Sequence, residues 1–125
     1  MSYSSNPKIL VVDDEKDLCE ILEFNLSSEG FDIETAYSAE EALKKPLEKF
    51  DLILLDVMME EMSGYKMADK IRKEKHLSVP IIFLTARTTE NDILTGFNVG
   101  GDDYISKPFS IKEIANYCAI HRDYY

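Results

Sequence analysis

The sequence predicts an α/β protein with a doubly wound parallel sheet of five strands in the order 2-1-3-4-5, and helices on both faces. Three observations lead there. Short apolar runs recur along the chain, each followed by a segment of helical spacing, and that alternation requires crossover connections between parallel strands. The runs Ile9–Val12, Leu52–Leu55 and Ile81–Leu84 are apolar throughout, as strands covered on both faces are. Asp32–Ala36, which alternates in polarity, and the short Tyr104–Ile105 suit the two edges of the sheet.

The intervening segments carry helix punctuation. Lys16 to Glu29 places Leu18, Ile21, Leu22 and Leu26 at helical spacing, and Gly30 stands at its C-terminal stop. Ser38-Ala39-Glu40-Glu41 and Ser110-Ile111-Lys112-Glu113 have capping-box form and are expected to open the second and fifth helices. Pro46 should shorten or kink the second. Gly64 precedes a third helix that turns Met67, Ala68 and Ile71 inward and ends before Pro80. Thr89 to Val99 forms the fourth, with Ile93, Leu94 and Phe97 expected inward and Gly100-Gly101 closing it. The strand order is the one known for flavodoxin-like folds.

A chain of 125 residues has room for one domain, expected over residues 8–125 after a disordered or extended polar lead at 1–7. Its 14 Lys+Arg against 24 Asp+Glu give a net charge of −10, which repels a phosphate backbone, so no nucleic acid is expected to bind this domain itself. Cys19 and Cys118 lack metal-ligand spacing and suit small core positions in a reducing cytosol. No apolar run approaches the ~20 residues a bilayer requires, so a cytoplasmic protein without a membrane partner is expected.

Parallel strands align their carboxyl ends along one edge, where ligands of such folds bind. Asp13 and Asp14 follow the first strand, Asp56 the third, Thr85 the fourth and Lys107 the fifth. Crowded carboxylates repel and call for a cation. Oxygen-only donors point to a hard ion, and so few of them favour Mg²⁺ that keeps some of its waters. Lys107 and Thr85 then stand ready for an anion, with phosphate the natural one, and a carboxylate beside them could become an acyl phosphate. Taken singly, each residue has a plainer reading: a helix cap for Asp13-Asp14, a turn for Asp56 or Lys107-Pro108. It is the convergence of four strand ends that favours a site. His76 and His121 lie away from this edge, and Met58-Met59-Met62 reads as loop packing.

Val11-Val12-Asp13-Asp14-Glu15, Leu54-Leu55-Asp56-Val57-Met58-Met59, Met62-Ser63-Gly64, Thr85-Ala86-Arg87 and Gly101-Asp102-Asp103-Tyr104-Ile105-Ser106-Lys107-Pro108-Phe109 together resemble the receiver domain of bacterial response regulators, over about Lys8 to Ile120. The resemblance implies a phospho-acceptor signalling domain rather than an enzyme, one that catalyses only its own phosphoryl transfer and slow dephosphorylation. It makes Asp56 the acceptor of a phosphoryl group from a sensor histidine kinase. Asp14 would be a direct Mg²⁺ ligand, Asp13 a direct or water-mediated one, and the Met58 backbone carbonyl would complete the protein's share of the shell. Thr85 and Lys107 would each engage a phosphoryl oxygen, and Tyr104 matches the aromatic that turns inward when Thr85 moves. Lys107-Pro108 matches the family's cis peptide. Met58 and Arg87, two residues beyond the acceptor and the threonine, would set the lifetime of the phosphorylated state.

The wording is most like the OmpR-like branch, whose members carry a C-terminal DNA-binding domain and pair through helix four, strand five and helix five. The resemblance therefore implies a transcriptional output through a domain outside this chain, and a homodimer of that kind only if it forms without the helix-five Arg that helps an acidic residue of strand five bridge the two subunits. Glu60 stands where a Pro is usual, Gly101 where an Ala is common, and Asn116 and Tyr117 where the branch has Ala and Arg. The chain stops at Tyr125, as an excised or a stand-alone receiver would. Two other functions fit the composition less well. A phosphohydrolase would need a second Asp close after the nucleophile, where Met58 stands. A flavin or nucleotide carrier would need a phosphate loop where Asp13-Asp14-Glu15 would repel its ligand.

Overall fold

Every apolar run becomes a strand because its side chains are covered from both sides. In the computed structural model, which describes residues 6–86 and 90–122, the elements follow in the order β1 (Lys8–Val12), α1 (Lys16–Ser28), β2 (Asp32–Ala36), α2 (Ala39–Leu43), a 3₁₀ turn (Leu47–Lys49), β3 (Leu52–Asp56), α3 (Gly64–Lys73), β4 (Ile81–Thr85), α4 (Glu90–Asn98), β5 (Asp103–Ser106) and α5 (Ile111–Arg122). The strands form one sheet in the order β2-β1-β3-β4-β5. All neighbouring pairs are parallel, with Val12 beside Leu55, Asp56 beside Leu84 and Thr85 beside Ser106.

Alternation along each strand divides the core in two. Leu10, Val12, Ile53, Leu55, Ile81 and Phe83 face α2 and α3, and meet Ala42, Met67, Ala68 and Ile71. Ile9, Val11, Leu52, Leu54, Ile82 and Leu84 face α1 and α5, and meet Cys19, Leu22, Leu26, Ile114 and Cys118. Burial pushes both thiols up to about 12, so both are protonated and inert at neutral pH.

The expected caps form: Ser38 Oγ accepts from the Glu41 N–H at 3.0 Å, and Ser110 Oγ from the Glu113 N–H at 3.0 Å. Pro46 ends the second helix early, and the chain continues as the 3₁₀ turn. Two residues expected inward, and a third placed at helical spacing in α1, are not covered. Ile21 is half exposed, because Cys19 joins Leu22 and Leu26 on the covered stripe of α1. Leu94 and Phe97 are also about half exposed, and among the described side chains of α4 the covered residue is Gly96. The Ile93 side chain, Arg87, Thr89, His121 and Tyr125 lie outside the described residues or side chains.

Candidate functional site

Backbone ladders run past the strand ends and fix the polar residues there. The Asp13 N–H donates to the Ala36 carbonyl at 3.1 Å, the Val57 N–H to Leu84 at 3.2 Å and the Lys107 N–H to Thr85 at 2.9 Å. Asp13, Asp56 and Thr85 are buried, whereas Asp14 is exposed. Gly64 supports the middle of this edge: a β-carbon there would collide with the Asp56 carbonyl oxygen, so only glycine lets the start of α3 approach β3 this closely.

Lys107 ties the carboxylates together. Its ammonium donates to Asp13 Oδ2 at 3.0 Å, and to Glu15 Oε1 and Asp56 Oδ1 at 3.3 Å each. The second Asp13 oxygen accepts the Glu15 N–H at 2.9 Å. Burial, followed by the Asp13 charge, pushes the Asp56 carboxyl up to about 6, with Lys107 opposing and Asp14 adding to the rise. Burial also raises Asp13, against the Glu15 N–H and Lys107. For Lys107 itself burial works downward, but the hydrogen bond and charge of Asp13, with Asp56 and Glu15, outweigh it and hold the ammonium above its usual range.

One ammonium against this many carboxylates leaves the site short of positive charge. Asp13, Asp14 and Asp56 each offer an oxygen, and these oxygens lie within 4.8 Å of one another. An oxygen-only set of this compactness fits Mg²⁺.

Thus Asp13, Asp14, Asp56, Thr85 and Lys107 come together at one edge as their strand-end positions imply. Met58, two residues beyond Asp56, is 56% exposed. The Lys107–Pro108 bond is cis. An open recess of about 370 Å³ beside Lys107 is lined by Glu15, Leu18, Ala86, Pro108 and Phe109. Glu15 is a further partner of Lys107, and its place directly after Asp14 is the sequence signal for it. The reason for Gly101 is also visible: a β-carbon there would run into the Phe83 ring. Tyr117 lies near enough to Asp103 for that charge to raise its phenol.

Comparisons with known proteins agree with this geometry. The response regulator receiver domain family matches residues 9–119. The chain is 47% identical over 110 residues to the alkaline phosphatase synthesis transcriptional regulatory protein PhoP of Bacillus subtilis, covering 87% of this chain and 45% of that protein. It is 42% identical over 106 residues to the response regulator SaeR of Staphylococcus epidermidis, covering 85% and 46%. The chain therefore spans about half the length of these curated relatives. Among solved structures, a two-component response regulator from Clostridium difficile superposes with a TM-score of 0.88 at 33% identity, covering 94% of this chain and 97% of that one. DrrB of Thermotoga maritima, described as an OmpR/PhoB homolog, gives 0.84 at 29% identity over 95% of this chain and 54% of its own.

Proposed function

The chain belongs to the receiver domain family of two-component response regulators, close to the OmpR/PhoB branch, and from that membership we propose that Asp56 is its phospho-acceptor and Asp14 its principal metal ligand. The observation that supports this is the convergence of Asp13, Asp14, Asp56 and Lys107 on one edge of the sheet. The partner is a cognate sensor histidine kinase. An Asp56 carboxylate oxygen forms the new O–P bond while the P–N bond to the kinase's phosphohistidine breaks, and the freed imidazole takes a proton from water. Mg²⁺ held by Asp13, Asp14, Asp56 and the Met58 carbonyl would neutralise charge on the phosphoryl oxygens. Lys107, already in contact with Asp56, remains beside the new anion, and the Thr85 hydroxyl accompanies it from the next strand. Incubation with Mg²⁺ and acetyl phosphate should add one phosphoryl group that maps to Asp56 by mass spectrometry. A label on Asp13 or Asp14 in its place would overturn the assignment.

The metal roles divide by the engagement of each carboxylate. Both oxygens of Asp13 already accept hydrogen bonds, from Glu15 N–H and from Lys107, whereas Asp14 is exposed at the mouth of the site. Asp14→Asn should therefore weaken Mg²⁺ binding more than Asp13→Asn in a titration. The reverse order refutes Asp14 as the principal ligand.

Lifetime is assigned to Met58 and Arg87. Neither can orient a water in line with the acyl phosphate, so slow self-dephosphorylation is expected. The double variant Met58→Asn, Arg87→Glu supplies groups that can hold such a water. It should speed phosphate loss about tenfold, the ~1.4 kcal/mol scale of one positioned hydrogen bond. An unchanged half-life would show that neither side chain gates the water.

The branch and the transcriptional role of PhoP support an output in transcription, through a DNA-binding domain outside this chain. The proposal includes a homodimer through α4, β5 and α5, in which Leu94 and Phe97 would supply the exposed apolar surface. Sedimentation of the acetyl phosphate-treated domain as a monomer would remove the dimer.

A further inference from the structure

Beyond the acidic edge, a second cluster joins α3, β5 and α4. The Tyr104 hydroxyl lies 2.6 Å from the Asp92 carbonyl oxygen in the first turn of α4 and 3.0 Å from the Tyr65 hydroxyl of α3. The Tyr65 hydroxyl is also 2.9 Å from that carbonyl. Two phenol protons serve three close oxygen contacts. Tyr104, at the shortest distance, donates to Asp92, and the Tyr65 proton serves either the carbonyl or the Tyr104 oxygen. Either arrangement ties both rings to the same turn of α4.

Gly96 explains how Tyr104 comes so near a helix. It stands one turn beyond Asp92, and a β-carbon on it would collide with the Tyr104 hydroxyl and lie 2.5 Å from the ring carbon that bears it. Glycine inside a helix is less stable than alanine, so its place here calls for a packing reason, and the hydroxyl seat is one. The rings are fixed as well. Phe83 meets Tyr65 edge-on at 5.0 Å and Tyr104 at 5.3 Å, and Phe97 meets Tyr104 edge-on at 5.8 Å. Burial and the Tyr65 hydroxyl both hold the Tyr104 phenol above its usual range.

We propose that Tyr65 and Gly96 are positioning residues that form a latch: Gly96 opens a seat on α4 for the Tyr104 hydroxyl, and Tyr65 holds it there. The latch sets the resting position of α4 against β5, and so the starting point from which phosphorylation must move that face. The latter consequence rests on the switch role that the family resemblance implies for Tyr104.

The test is a double-mutant cycle of Tyr65→Phe and Tyr104→Phe, which keeps both rings and removes the hydroxyls. The readout is hydrogen exchange of the Gly96 and Phe97 amides in the unphosphorylated domain. Tyr65→Phe alone should speed their exchange about tenfold or more, and the double variant should depart from the product of the two single effects, because the hydroxyls share a contact with each other and one carbonyl acceptor. Gly96→Ala should match Tyr104→Phe by displacing the hydroxyl. Additive effects, or unchanged exchange in Tyr65→Phe, overturn the latch. The same amides, followed in the unaltered chain after acetyl phosphate and Mg²⁺, report the switch separately. Coupling in the cycle with no response to phosphorylation would support the latch and reject the switch role of Tyr104.

Discussion

Asp56→Asn should abolish phosphoryl uptake from acetyl phosphate and, in Mg²⁺-free buffer at neutral pH, should make the domain more stable. The loss follows from chemistry, since a carboxamide offers no anionic oxygen to attack phosphorus. The gain follows from electrostatics. Burial and the Asp13 charge raise the Asp56 carboxyl to about 6 in the folded state, against about 3.9 in an unfolded chain. A carboxyl raised on folding favours the folded state fully below the unfolded value, and that contribution is lost as pH rises through the folded one. Above pH 6 the native chain therefore carries a buried charge beside a second carboxylate, which the Asn variant lacks. Thermal melts from pH 4.5 to 7.5 should show the variant's advantage growing with pH. Added Mg²⁺ should stabilise the native chain more than the variant. A variant less stable than the native chain at pH 7 without metal would contradict this account of the site.

The features legible in the sequence are those that depend on short-range pattern. Three uninterrupted apolar runs marked the central strands, because a strand covered on both faces has no polar side to display. The polar residues closing those runs marked the site, because parallel strands bring all such ends to one edge. Side chains whose role depends on what approaches them from elsewhere were not legible. Helical spacing placed Leu94 and Phe97 inward, yet both are about half exposed, and Gly96 is covered because a tyrosine from β5 fills the space beside it. Tyr65 carries no signal in the sequence, and only the fold sets its hydroxyl 3.0 Å from that of Tyr104. Gly101 looked like a departure from a common Ala, and its cause is the Phe83 ring one strand away. Each of these pairs is separated by many residues, and periodicity within one segment carries no record of the other.

Arg72 is the strongest instance, and replacing it should be among the most destabilising single changes in the domain. In the sequence it is one of several basic residues in the last turn of a helix, where a cation complements the helix dipole. In the fold its guanidinium donates to three backbone carbonyls: Nε to Gly100 at 3.0 Å, and Nη1 to Leu77 at 2.9 Å and Val79 at 2.8 Å. Nη2 meets Asp102 Oδ2 at 3.1 Å, and the same oxygen accepts the Ile81 N–H at 2.8 Å. One planar fork therefore closes the turn after α3, the turn after α4 and the start of β4. Arg72→Met preserves the aliphatic stem but removes every donor, which leaves carbonyls and a carboxylate that were satisfied by a charge. Hydrogen bonds to charged groups contribute about 1.5–3 kcal/mol each. Because water can reach part of the cluster, a net loss of about 3–4 kcal/mol is expected, roughly 10–15 °C in Tm for a domain of this size. Arg72→Lys should recover only a minor part, since an ammonium cannot reproduce the fork. Urea denaturation reads both variants, and a loss under about 1 kcal/mol for Arg72→Met would show that solvent replaces the guanidinium without cost.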